Sequence, residues 1–313
     1  MNQEVLLLVQ KCAHTFSFYD VKTGAPLKHI LLEDFPHEFV VDSKNRFAYV
    51  GHYGVENSSH QGEGGCSVFV IDLALGEHVR TLDISPFRRP HGLAMDDQDR
   101  LYVLSESNST LLIFDQPHLR DVPDRAIPSG GYKSHLVALT RDGETAFSLN
   151  LLSNTVTRLK PQDPTIAPQA LQPGSRPEGN CLSADECTLY VTTRGDDSIV
   201  AVDTRTLEVT HRGRTGSDPT RVYRDRQDRL YVTNYGECSI SVFNCQLEGI
   251  RRVALDSHPI AMSFHPTQDL AFVTLTDQRV GMLDLTTWTF ERYFETLLEP
   301  DVSQVIVRRT ALD

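Results

Sequence analysis

Basic residues are scarce in this chain. Thirty Lys and Arg stand against 42 Asp and Glu, for a formal charge of -12. That balance argues against nucleic acid or an anionic membrane surface as partner. Long apolar runs are missing as well, and no segment approaches the roughly 18 residues that would suggest a membrane span. The opening "MNQEVLLLVQKCAH" has no basic region before its short apolar run, so it reads as a strand and not as a secretory signal. The six cysteines form no CxxC pair, although Cys181 and Cys187 flank one short turn. Such thiols are expected to be reduced, in a cytoplasmic protein. Phosphate-cradling glycine loops, nucleotide fingerprints and Ser-His-Asp arrangements with supporting context are all lacking.

Helical periodicity is nearly absent too, and alternating strand patterns dominate. A strand of apolar-Tyr/Phe-Val type recurs at "LLLV", "FAYV", "LYV", "AFSL", "LYV", "LYV" and "AFV". Aligning Leu8, Tyr49, Tyr102, Phe147, Tyr190, Tyr231 and Phe272 gives spacings of 41, 53, 45, 43, 41 and 41. Seven units of four short strands at such a period predict an all-β, seven-bladed propeller occupying residues 1–313 as one domain. The longest spacing reflects an insert, "VENSSHQGEGG" at 55–65, whose composition predicts flexibility. The first unit starts at its second strand. The C-terminal "DVSQVIVRRT" is therefore expected to supply the missing innermost strand and close the ring.

The starts of the innermost strands line up as "FPHEFVVD", "RPHGLAMD", "KSHLVALT", "RPEGNCLS", "DPTRVYRD", "HPIAMSFH" and "EPDVSQVI". Their third positions, His37, His91, His135, Glu178, Thr220, Ile260 and Asp301, are expected to ring the channel on one rim. Twelve histidines in 313 residues would place about 0.3 of a histidine in seven such slots, and three are there, on consecutive blades. Converging imidazoles suit a divalent transition metal, here zinc, manganese or iron, with an open position for water or substrate. Glu178 is a candidate fourth ligand or base, Asp301 a second base, and His52 a residue that orients or replaces a ligand. Arg88, Arg89, Lys133, Arg176 and Arg194 flank the ring and suggest a small anionic substrate. Asn150, Asn234, Tyr53 and Tyr235, at the ends of second strands, are candidate hydrogen-bonding groups. The acidic turns "DDQDR" and "DRQDR" read as solvated turns on the far face.

"LYVTNYGECSISVF" and "LYVTTRGDDSIVAVD" resemble the YVTN-type repeat of seven-bladed propellers, a group with lactonase-like proteins, surface-layer repeats and subunits of redox enzymes. One tryptophan, Trp288, and no Gly-His…Trp-Asp pairs set the chain apart from WD40 proteins. The resemblance implies the propeller fold and, through its lactonase-like and lyase members, a hydrolase or lyase working in the central pocket. Calcium-type lactonase propellers rely on acidic and amide ligands, whereas this rim is mainly histidine, so elimination or redox chemistry stays open. The competing expectation is a non-catalytic propeller that binds a protein or peptide on the same rim.

Overall fold

A computed structural model describes residues 2–309. It contains seven four-stranded antiparallel sheets, the blades of a propeller, and only three single-turn 3₁₀ segments as helix. In each blade strands A to D run from the central channel outward. The A strands are Pro36–Val41, Pro90–Met95, Ser134–Leu139, Pro177–Leu182, Pro219–Arg224 and Pro259–Phe264 in blades 2 to 7. In blade 1 the A strand is Pro300–Arg309, paired antiparallel with Asn2–Gln10, so the chain's last strand completes its first sheet.

Each blade buries both faces, which explains the continuous apolar runs in the middle strands. Alternate residues of one strand point to opposite sides. Val5, Leu7 and Val9 thus pack toward blade 2, while Leu6 and Leu8 pack toward blade 7. Seven such inter-blade clusters together form the core. On the far face the acidic turns are less solvated than their composition predicts. Asp42, Asp96 and Asp225 are buried. Each accepts the backbone N–H of the arginine four residues on, at 2.6, 3.0 and 2.9 Å, and that arginine's Nε as well. The carboxylate thus satisfies turn amides that would otherwise be orphaned.

On the channel rim the backbone is strained in a repeated way. Phe35, Arg89, Lys133, Arg176, Asp218 and Glu299, each directly before an A strand, have φ between 52° and 56°. A left-handed non-glycine residue costs about 1–2 kcal/mol. Its carbonyl accepts the N–H of a residue just past strand B, as in Glu106 N to Arg89 O (3.0 Å) and Arg194 N to Arg176 O (3.0 Å). A register shift follows at the second position of every A strand. The bulge re-aims that side chain into the channel.

Candidate metal centre at the channel rim

The strain and the bulge have one visible product. His37, His91, His135, Glu178, Thr220, Ile260 and Asp301, one from each blade, line a single cavity of about 540 Å³. The three imidazoles are buried and adjacent: ring centroids lie 4.4 Å apart for His37 and His91, and 3.5 Å for His91 and His135. Tyr53 packs edge-on against His91, 5.1 Å between centroids.

Two of the histidines are backed by buried carboxylates. His135 Nδ1 lies 2.7 Å from Glu106 Oε2, and the Tyr53 hydroxyl donates to Glu106 Oε1 at 2.8 Å. Burial would raise the Glu106 pKa, but the His135 and Tyr53 hydrogen bonds and Lys133 bring it below the usual carboxylate range. Asp301 Oδ2 stands 2.6 Å from His37 Nδ1, a close contact off the axis of a good hydrogen bond, so neither group is satisfied. Burial works against ionising Asp301, and His37, Lys11 and Arg221 outweigh it and hold the carboxyl far below its ordinary value. His91 shifts the other way. Burial first, then the neighbouring His135, His37, Arg221 and Lys11, push its pKa well down, which keeps the imidazole neutral with a lone pair to donate.

These residues fit a cation. His37 Nδ1, His91 Nδ1 and both Asp301 oxygens are buried polar atoms without a partner among the described residues, an arrangement that normally demands an explanation. His37, Glu38 and His91 form one group with potential ligand atoms within 4.8 Å of one another, and His91, Glu106 and His135 form a second. His91 belongs to both. Carboxylates behind histidines are the usual outer partners of metal-bound imidazole.

Glu178 lies outside both groups. It lines the cavity but is gripped by Arg194 Nη1 at 2.9 and 3.0 Å, and the same guanidinium also binds Asp218. Further down the channel Arg221 reaches across the ring to Glu38 at 2.5 Å. Gly179 makes room for it, since a Cβ there would sit 2.6 Å from the Arg221 Cα. Lys11 pairs with Glu299 at 2.5 Å. Burial and a hydrogen bond to Glu299 push the Cys12 thiol up to about 12, so Cys12 faces the cavity as a neutral thiol.

The other expected site residues fall elsewhere. Asn150 and Asn234 are fully buried inside their blades, donating to Thr155 and Thr157 and to Ser239 and Ser241 respectively. His52 contacts Ser67 at 3.0 Å and packs at a tilt against Phe69, outside the cavity lining. Tyr235 lines the cavity. Arg176 is exposed and outside the cavity lining. The remaining basic residues hold the insert. Lys133 Nζ donates to Ser58 O at 2.8 Å, Arg89 Nη2 to His60 O and Gly62 O at 2.8 and 2.6 Å, and Arg88 Nη1 to Gly64 O at 3.0 Å.

The insert is thus strapped over the arc of histidines, with Val55 buried and Asn57 and Ser58 lining the cavity. Composition predicts a flexible loop because the hydrogen bonds that pin it come from side chains on other blades. Each charge-assisted bond contributes about 1.5–3 kcal/mol. Lys133→Ala is therefore expected to raise amide hydrogen exchange across residues 55–65 about tenfold with the rest of the protein unchanged. Unchanged exchange in the insert would refute the anchoring.

No protein-family model matches this sequence, and no curated protein matches it either. Solved structures do resemble it. The periplasmic gluconolactonase PpgL of Pseudomonas aeruginosa shares 14% identity at a TM-score of 0.77, over 97% of this chain and 99% of that one. A putative 6-phosphogluconolactonase of Bacteroides uniformis shares 15% at 0.77, over 97% and 100%. The dihydro-heme d1 dehydrogenase NirN shares 14% at 0.68, over 93% of this chain, which spans 63% of the length of that enzyme. At these identities the likeness establishes a fold that lactonases share.

Proposed function

We propose that this chain is a metal-dependent hydrolase that opens a small cyclic ester of lactone type at the top of its channel. One observation carries the reading. Three buried histidines lie side by side at the cavity, His37 and His135 each beside a carboxylate and His91 with an Nδ1 that has no partner among the described residues. His37, His91 and His135 would hold a divalent transition metal, zinc, manganese or iron, with Asp301 and Glu106 orienting the outer two. Such an ion supplies a Lewis acid for an ester carbonyl and a water acidic enough to lose its proton near pH 7. Glu178, fixed by Arg194, offers a carboxylate at the cavity wall as proton acceptor. The insert covers the site and limits water. The fold shared with PpgL and the putative 6-phosphogluconolactonase supports the same chemistry.

A cavity of this size roofed by the insert suits a small molecule better than a protein or peptide. Product analysis separates ring opening by water from elimination, which the same groups would also serve. A cytoplasmic setting belongs to this proposal and rests on six free cysteines. No helix among the described residues is long and apolar enough to cross a membrane.

The carboxylates provide the test. Glu106→Gln and Asp301→Asn are each expected to lower zinc affinity about 10- to 100-fold while one metal per chain still binds at saturation. Affinity unchanged in both folded variants would refute the metal centre.

A further inference from the structure

We infer that the substrate is uncharged, a polyhydroxylated lactone or cyclic ester with no phosphate or carboxylate of its own. The inference rests on the hydrolase reading for what the molecule is, and on the ion pairs for its charge. Three cations line the cavity, Lys11, Arg194 and Arg221. Each is already matched: Lys11 by Glu299, Arg221 by Glu38, and Arg194 by both Glu178 and Asp218. The basic residues at the mouth, Arg88, Arg89 and Lys133, are engaged by carbonyls of the insert. Among the described residues no cation is left facing the cavity to receive an anion.

Two carboxylates are left over once Glu178 and Glu299 are paired: Asp301 lines the same space, and Glu106 lies just behind it. A divalent ion on the histidines would answer Asp301 and Glu106 and leave no positive surplus. An anionic group entering here would lose its water and meet carboxylates that are fixed in place. What remains free of charge on the wall is suited to hydroxyl groups. Ser58, Thr220, Tyr235 and Gln278 present hydroxyl and amide functions, and Ile260 and Leu298 offer an apolar surface to the C–H face of a ring.

Calorimetry on the zinc-loaded protein tests this, using gluconolactam, a stable uncharged lactone isostere, and its 6-phosphate. The uncharged lactam is expected to bind at least tenfold more tightly. Glu299→Gln, which frees Lys11, is expected to raise affinity for the phosphorylated lactam at least tenfold. Equal or tighter binding of the phosphate by wild type, binding of neither lactam, or no gain in folded Glu299→Gln overturns the inference. If Glu299→Gln does not fold, the wild-type comparison decides alone. Preferential binding of the uncharged lactam with no turnover of either lactone would support the inference and sink the hydrolase reading, so the two fail separately.

Discussion

Removal of residues 301–313 is expected to leave a chain that no longer melts cooperatively. Those residues contain nearly all of the innermost strand of blade 1. Val5 faces Ile306 and Leu6 faces Val305 in that pairing, and Val305 and Ile306 are buried. Without the strand, Asn2–Gln10 becomes an open edge whose Leu6, Leu7 and Leu8 are otherwise entirely buried, and blades 2 and 7 lose the neighbour that joins them. At about 1 kcal/mol per ladder hydrogen bond, plus about 1.5–3 kcal/mol for each buried Val or Ile side chain, the loss rivals the whole stability of roughly 5–15 kcal/mol of a typical domain. Thermal melting followed by near-ultraviolet circular dichroism checks it. A cooperative transition at the wild-type temperature would refute closure by this strand.

His91→Ala is expected to abolish stoichiometric metal binding and to lower turnover by at least about a thousandfold, while the protein stays folded. His91 is the residue common to both ligand groups, and burial keeps it neutral. Its loss takes away the middle imidazole of the three proposed ligands, whereas loss of His37 or His135 leaves two adjacent imidazoles and is expected to weaken metal binding less. Metal analysis and lactone hydrolysis of folded variants measure the ranking. A His91→Ala protein that retains full metal content would overturn the assignment.

The blades, the closing strand and all seven rim positions are legible in the sequence because one alignment of strand starts carries them. The second tier was harder to see. Lys11, Tyr53, Glu106, Leu151, Arg194, Tyr235 and Thr276 each follow the last residue of a B strand, and most of them line the cavity. The sequence marks Tyr53, Arg194 and Tyr235 in that tier. It equally marks His52, Asn150 and Asn234, which stand one residue earlier. A one-residue step in a strand turns the side chain to the other face, so those three face into the blades. Repeating the rim alignment at the first residue after each B strand would have exposed Glu106 and Lys11. The partners of the basic residues had no such signal. Lys133 meets Ser58 across 75 positions and Arg221 meets Glu38 across 183, and no periodicity encodes either pairing.

The left-handed residue before each A strand separates architecture from chemistry. Six blades share that backbone turn, and all seven share the bulge after it, yet the side chain it presents is histidine, glutamate, threonine, isoleucine or aspartate. The scaffold behaves as a row of sockets: main-chain geometry aims each occupant at the channel, and side-chain partners such as Arg194 and Glu106 are added blade by blade. Architecture and chemistry are thus encoded at different positions of the repeat, which gives a lineage of such rings a short route from one reaction to another.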